Sequence, residues 1–324
     1  MSRPPHQVIY TRGGGRLGNQ VLRFAHWMAW ALEHPGEAEI LNLAFWPHAE
    51  YFSEWRGHPA CVFPRRAHGL DPLIRLRRGL PEWITRRLDW RIQHAVQAGG
   101  RTRPGWQAVT LDDRAAEAID LAGMDFLARV KRERVTVCAG WRIAGWELLA
   151  KHQAAVRGRF HAAERFARPA GEFIAALRAR HILVIGVLVR QSDYRAWDDG
   201  RFYFSSEQYA RWIRQALDLH PGRRVAVVVA SEVRQDAALF KDLPVHQAPG
   251  NPGTSGHWFE KWVVLSRCDL VLTPPSTFSA TAAFVGQVPL WPLLHAQQTL
   301  ALDQIIPDGM IGAARHPVFS RAVK

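Results

Sequence analysis

Three glycines, Gly13, Gly15 and Gly18, follow the short apolar run at 7–10 and precede a second apolar stretch, spelling G-x-G-x-x-G within TRGGGRLGNQVLRFAHW. A strand-to-helix turn without side chains lets backbone N–H groups approach an anion at the positive end of the helix. A dinucleotide site of this kind also needs an acid about 20 residues on, where the second strand ends, to accept the ribose hydroxyls. The matching strand here is EILNLAF, in which Glu39 stands at the beginning and Asn42 at the place of the acid. The glycines therefore read as an anion-binding turn or as a plain tight turn. Arg190 follows the apolar run ILVIGVLV at 182–189. A guanidinium leaving the carboxyl end of a parallel strand points into the crevice where ligands bind, and its fork matches a pyrophosphate; the alternative is a solvated surface charge. Asp193, three residues on, is either an orienting partner for Arg190 or an ordinary loop acid. Ser276, Thr277 and Ser279 follow DLVLTPP, where hydroxyls and N–H groups at a helix start make a phosphate cradle or one hydroxyl makes an N-cap. The pair Asp198, Asp199 precedes Gly200 and reads as a turn rather than a metal site.

The elements that hold these residues are legible as an alternation. Strands are expected at 7–11 and 38–43 around a helix at 18–32, whose apolar residues cover most of its circumference. Residues 51–105 are aromatic, proline-broken and arginine-heavy, with Arg65, Arg66, Arg75, Arg77, Arg78, Arg86, Arg87 and Arg91 against Asp71, Glu82 and Asp89. Only a helix near 81–98 is placed there. A helix at 112–131, a strand at 134–140 and a long helix at 145–168 follow, with Pro169 and Gly171 marking a boundary. Beyond it, strands at 182–189, 224–230, 269–273 and 288–291, with a short one near 245, alternate with helices at 206–219, 233–240, 258–266 and 276–285. Strands this apolar between helices argue for a parallel sheet covered on both faces. Two α/β domains are expected, 1–168 with an arginine-rich insertion and 180–324.

The chain has 324 residues, 48% of them hydrophobic, enough for two ordinary cores. Its formal charge of +13 points toward anionic partners: phosphate-bearing substrates, acidic membrane surfaces or nucleic acid. Cys61, Cys138 and Cys268 are odd in number, far apart and form no C-x-x-C, which argues against a disulfide framework or a zinc site and fits a reducing cytosol. The first ten residues lack a signal peptide's apolar stretch, and no run approaches the ~20 apolar residues of a membrane span.

GGRLGNQ resembles the N-terminal motif of the fucosyltransferase superfamily, above all the α-1,2-fucosyltransferases (glycosyltransferase family 11) and the protein O-fucosyltransferases, in which a G-x-x-G-N-Q loop leads into the first helix. GVLVRQSDYRAW at 186–197 is similar to the family's V-H-I-R-R-G-D-Y stretch, with Arg190 on the essential arginine and Asp193 and Tyr194 matched. Leu188 stands where relatives have a histidine that helps hold the nucleotide, and Gln191 and Ser192 replace Arg-Gly. CDLVLTPPSTFSATAAFVG at 268–286 resembles the strand, loop and helix that carry S-T-F-S followed by small residues. VCAGWRIAGWELLAKH at 137–152 is a weaker match to G-Y-W-Q-S-x-x-Y-F, aligning Gly140 and Trp141. Residues 45–130 follow no family pattern.

The resemblance implies an α/β fold of GT-B type, with two Rossmann-like domains facing each other across a cleft, the first on the acceptor side and the second holding the nucleotide sugar. It implies inverting transfer of fucose from GDP-fucose to a glycan hydroxyl, with the donor a substrate and no separate cofactor or metal. Arg190, Asn19 and Asp193 are the catalytic candidates; Gly15, Arg16, Gly18, Asn19, Arg190, Ser276, Thr277, Phe278 and Ser279 are the donor-binding ones. Asp193, Glu147 and His257 are candidates for the general base. Two other classes compete. One is an NAD(P)-dependent oxidoreductase using the glycine turn. The other is a polyanion- or nucleic-acid-binding protein using the arginine tract, for which contact with an anionic membrane surface is the preferred partner and nucleic acid is not expected.

Overall fold

The computed structural model describes residues 5–12, 14–77, 79–111, 119–140 and 143–315, so Gly13, Arg78 and Trp141 lie outside the described residues. The chain divides into two compact units between Ala163 and Glu164, ahead of the stretch at 168–180 where the sequence suggests a join.

In the first unit β1 (His6–Arg12), α1 (Leu17–Glu33) and β2 (Ala38–Asn42) form an opening β-α-β. Then come α2 (Ser53–Gly57), β3 (Val62–Phe63), α3 (Asp71–Arg77), α4 (Glu82–Thr102), β4 (Trp106–Leu111), β5 (Ile119–Asp120), α5 (Met124–Val130), β6 (Val135–Gly140), β7 (Ile143–Ala144) and α6 (Trp146–Arg157). The sheet runs β3-β2-β1-β6-β4, parallel except for the edge strand β3. Helix α1 is buried from Leu17 to Ala31 on nearly every face, as its apolar circumference demands. Phe24 on α1 meets Phe45 at 5.0 Å and Trp55 at 4.9 Å, and Phe160 closes the same aromatic cluster.

The second unit contains α7 (Glu164–Arg178), β8 (Leu183–Val189), α8 (Ser206–Asp218), β9 (Val225–Ser231), β10 (Val245–Gln247), α9 (Glu260–Leu265), β11 (Leu270–Thr273), α10 (Thr277–Gly286), β12 (Leu290–Pro292) and α11 (Gly309–Arg315). Its sheet is wholly parallel, in the order β10-β9-β8-β11-β12. The chain winds outward from β8 through β9 to β10, then returns to β11 on the other side. The strand order thus reverses between β8 and β11, the place where open α/β sheets leave a crevice at their carboxyl ends.

Four expectations fail for identifiable reasons. The helix expected at 112–131 starts at Met124 among the described residues, while Trp106–Leu111 forms β4 beside β6, its Gln107 amide donating to Thr136 at 2.9 Å. The helix expected at 145–168 is two helices. Phe160 turns inward to complete the aromatic cluster after α6, and α7 runs through both Pro169 and Gly171, the supposed boundary. The helix expected at 233–240 shrinks to one 3-10 turn at Ala237–Phe240, because Val233 and Gln235 bond back to the Ser231 hydroxyl. The helix expected at 258–266 shortens to α9, the backbone before it being held by Glu260 accepting from the His257 N–H. Asp198, Asp199 and Gly200 form the expected turn, all three with positive φ.

His26 on α1 is 1% exposed and packs edge-on against Trp146 at 4.5 Å. Burial, reinforced by the nearby Arg23 charge, holds its pKa down at about 3 against an ordinary 6.5. Between those values the unfolded chain binds a proton that the folded chain refuses. Stability is therefore full above pH 6.5 and falls on acidification by up to about 1.4 kcal/mol per pH unit from this group. In urea unfolding between pH 7 and 4, His26→Gln should lower stability at pH 7 through lost packing while flattening the slope between pH 6 and 4 by close to one proton; an unchanged slope would contradict the buried neutral imidazole.

Candidate functional site

The second unit carries a charged cluster at the reversal of strand order. Arg190 follows β8 directly and is 8% exposed. Its Nη2 donates to both Asp193 oxygens at 2.7 and 2.8 Å and its Nη1 to Glu232 Oε1 at 2.6 Å. Ser192 Oγ donates to the other Glu232 oxygen at 2.5 Å. The guanidinium also lies over the Tyr194 ring, 4.7 Å from its centroid. Charge-assisted bonds of this length fix the fork firmly. The structure thereby shows Asp193 holding Arg190, one of the two roles the sequence leaves open for it.

Tyr194 joins this cluster to the strand on the other side of the reversal. Its hydroxyl donates at 2.5 Å to the carbonyl of Pro275, the residue directly before Ser276. Burial raises the Tyr194 pKa, so the phenol stays a neutral donor. Arg190, Asp193 and Ser276, drawn from 87 residues of chain, are thus tied through one ring.

Ser276 is the N-cap of α10, its Oγ accepting from the Phe278 N–H at 3.3 Å. Thr277 and Phe278 are half-buried on the first turn. Ser279 points inward, fully buried, donating to the Ser276 carbonyl at 3.1 Å and sharing a hydrogen bond with Thr273 at 2.8 Å. Its hydroxyl therefore fastens α10 to β11 and is withdrawn from any ligand, which corrects the reading of three hydroxyls in one cradle. The small residues of SATAAFVG have a packing cause as well: a Cβ on Gly286 would meet the Ser266 carbonyl oxygen of the segment after α9 at 1.8 Å.

Two residues of this cluster have no counterpart among the sequence candidates. Glu232 stands just past the carboxyl end of β9, beside β8. Lys261 on α9 is 7% exposed and donates from Nζ to the Ser231 carbonyl at 2.7 Å. Burial lowers its pKa, Arg190 adds to that, and Glu232 opposes it. The signal that could have found Glu232 is an acid directly after the apolar strand VAVVVAS. Behind the ions lies a layer of neutral groups. Gln191 is bonded to the Phe204 carbonyl at 2.9 Å and to Gln235 at 3.0 Å, and Asn251 takes the Ser231 N–H at 2.9 Å. Leu188 is buried in β8, 2% exposed.

The first unit holds the opening loop. Gly14, Gly15 and Arg16 are exposed, and α1 begins at Leu17 with Gly18 buried and Asn19 half-buried on its first turn. Gly15 has φ +85°, and the Asn19 Nδ2 lies 1.8 Å from where a Gly15 Cβ would be. Gln20 donates to the Gly14 carbonyl at 3.1 Å. Both amides of the G-N-Q string thus fold back on the glycine turn and fix it, while the first-turn N–H groups of α1 point out of the helix end. The dinucleotide reading finds no support here. Asn42 is fully buried and its Oδ1 accepts from the Phe45 N–H at 3.1 Å, so the end of β2 offers no acid for a ribose.

Of the general-base candidates, Glu147 is exposed on the first turn of α6 in the first unit. His257 Nδ1 accepts from the Phe259 N–H at 3.1 Å and its ring stacks with Phe166 at 4.9 Å, a turn-holding arrangement that places the proton of the neutral ring on Nε2. Asp193 is committed to Arg190. Among the described residues no group of three or more His, Cys, Asp or Glu is placed to hold a metal ion. The three cysteines are buried thiols.

The loop geometry yields a double-mutant cycle. Gly15→Ala alone must adopt a left-handed backbone and displace the Asn19 amide, whereas in an Asn19→Ala background the amide is gone and what remains is the backbone penalty of about 1–2 kcal/mol and a 2.9 Å approach to the Cβ at position 19. Chemical unfolding of the four proteins should give a coupling of about 0.5–3 kcal/mol; additive costs would show that Asn19 does not lie over Gly15.

No protein-family model matches the chain, and no curated protein matches it in sequence. Solved structures do. The chain is similar to a mutant of Arabidopsis thaliana FUT1 in complex with GDP, at a TM-score of 0.55 and 17% identity over 93% of this chain and 73% of that one. POFUT1 in its apo form aligns over 89% of this chain and 95% of its own at 13% identity and a TM-score of 0.49. The fucosyltransferase NodZ from Bradyrhizobium aligns over 92% and 98% at 16% identity and 0.46. The last two scores are too low to carry an argument. The first likeness establishes the fold, an α/β architecture of GT-B type with two Rossmann-like units.

Proposed function

We propose that this chain is a glycosyltransferase that moves fucose from GDP-fucose to a hydroxyl of a glycan. One observation carries the reading: Arg190 after β8 and the start of α10 after β11 occupy adjacent strand ends where the order reverses, in a fold similar to a structure solved with GDP. That crevice is where an open parallel sheet binds a nucleotide, and both elements suit its phosphates.

In the proposed reaction the acceptor oxygen forms a bond to the anomeric carbon as the bond to the diphosphate breaks on the opposite face, inverting the centre. The acceptor proton leaves to a base, and charge develops on the departing diphosphate. Fixed donors aimed at that charge lower the barrier without having to reorganise. Arg190 supplies the guanidinium, Asp193 and Glu232 orient it, and the N–H groups at Thr277 and Phe278 supply the helix end. This set carries the transfer without assigning a role to a metal. In the first unit the exposed turn at 14–16 and the first-turn N–H groups around Gly18 and Asn19 are assigned to contact with an anion, with Arg16 adding charge.

Thermal unfolding with GDP, UDP and dTDP species is the direct test, since a ligand bound only by the native state at about 100 times its Kd adds about 2.7 kcal/mol. For a domain of 150–250 residues that is a rise of about 5–10 °C. GDP species should produce it, and preference for UDP or dTDP would overturn the donor assignment. Arg190→Ala should abolish both the GDP-dependent rise and transfer while the ligand-free protein stays folded; near wild-type turnover in that variant would remove the role given to Arg190.

A further inference from the structure

Of the eleven large hydrophobic side chains that stand exposed among the described residues, six fall between Leu73 and Trp90. They sit on α3, at Leu80 between the helices, and on α4, a 21-residue helix whose only buried residues are Gly99 and Gly100 near its end. Those two glycines lie against the first sheet, where a Cβ on Gly100 would meet Val137 at 3.0 Å. The preceding four turns carry a half-buried stripe that includes Thr85, Asp89, Ile92 and Val96, which leaves the opposite side of the helix, with Trp83 and Trp90, in the open.

Their pattern is ordered. Trp83, Arg86, Arg87, Trp90, Arg91 and His94 recur at helical spacing, which puts two tryptophans and a histidine along one line with arginines on both flanks. Trp83 is 68% and Trp90 58% exposed, and the Trp90 ring lies tilted against His94 with centroids 4.1 Å apart. On α3, Leu73 and Leu76, one turn apart, are 55% and 73% exposed. The nearby acids are engaged, Glu82 with Arg86 and Asp89 with Arg77, leaving Arg87 and Arg91 uncompensated by either.

We propose that α3 and α4 lay these exposed side chains on an anionic lipid surface. Tryptophan and arginine together suit the headgroup boundary, where the ring enters the apolar layer and the guanidinium stays with phosphates. The aliphatic side chains decide between polyanions: an exposed Leu73, Leu76 or Leu80 gains from contact with acyl chains and has no stacking to offer a nucleic acid base. Among the described residues no helix is long and apolar enough to cross a membrane, so the contact is one of lying on the surface.

Co-sedimentation of the full chain with phosphatidylcholine vesicles, with and without about a third phosphatidylglycerol, tests this without reference to the transferase reading. The anionic vesicles should retain the protein and the neutral ones should not, with retention falling as salt rises. Each basic residue near an anionic surface contributes about fivefold. The triple variant Arg86→Glu, Arg87→Glu, Arg91→Glu should therefore weaken retention about a hundredfold or more. Trp83→Ser with Trp90→Ser should weaken it at least tenfold while leaving the melting temperature unchanged, since both rings are exposed. Retention indifferent to the two tryptophans, equal on neutral vesicles, or outcompeted by single-stranded DNA with no loss in the Trp83→Ser, Trp90→Ser variant would overturn the proposal.

Discussion

The second unit is organised around one fixed cation. Arg190 is nearly buried at the end of a central strand, a position that is tolerable only because two carboxylates and an aromatic face surround it. The partners come from separate elements: Asp193 from the loop after β8, Glu232 from the end of β9, and Tyr194 reaching to the loop before α10. Each would be an unremarkable surface residue alone. The register of β8 between β9 and β11 is what places their chain ends side by side, so the sheet order and the ionic cluster are a single constraint.

Much of this frame is readable from residue patterns. The alternation of apolar strands and helices beyond residue 180 corresponds to β8 through β12, because a strand buried on both faces must be apolar throughout. Helix α1 is legible for the same reason. Legibility fails where a tertiary contact overrides a local signal. Pro169 sits inside α7, and Phe160 ends a helical stretch because it is needed in the aromatic cluster of the first unit. Strand β4 carries polar side chains that pair across to β6, which hides it from a search for apolar runs.

The site residues divide in a similar way. Arg190 and the start of α10 could be picked out because their chemistry is local: a cation after a strand, hydroxyls before a helix. Glu232 has a weaker signal, an acid directly after an apolar strand, and Lys261 has none, since their meaning arises only when β9 and α9 come to lie against β8. The serine-rich motif shows the opposite fault, an overstated chemical content. Ser276 caps and Ser279 is spent on holding α10 to β11, so the same letters serve packing as much as recognition. The G-N-Q string is comparable, with Asn19 and Gln20 both folded onto the turn they follow.

The neutral layer behind Arg190 has its own consequence. Gln191, Gln235, Asn251 and Ser231 have no group that gains or loses a proton in ordinary buffers. This amide and hydroxyl lattice keeps the same donors and acceptors whatever the pH. The groups that grip the guanidinium are ionic, whereas those that tie together the chain ends behind it are neutral, so the backbone under the cation is held by bonds that no proton makes or breaks.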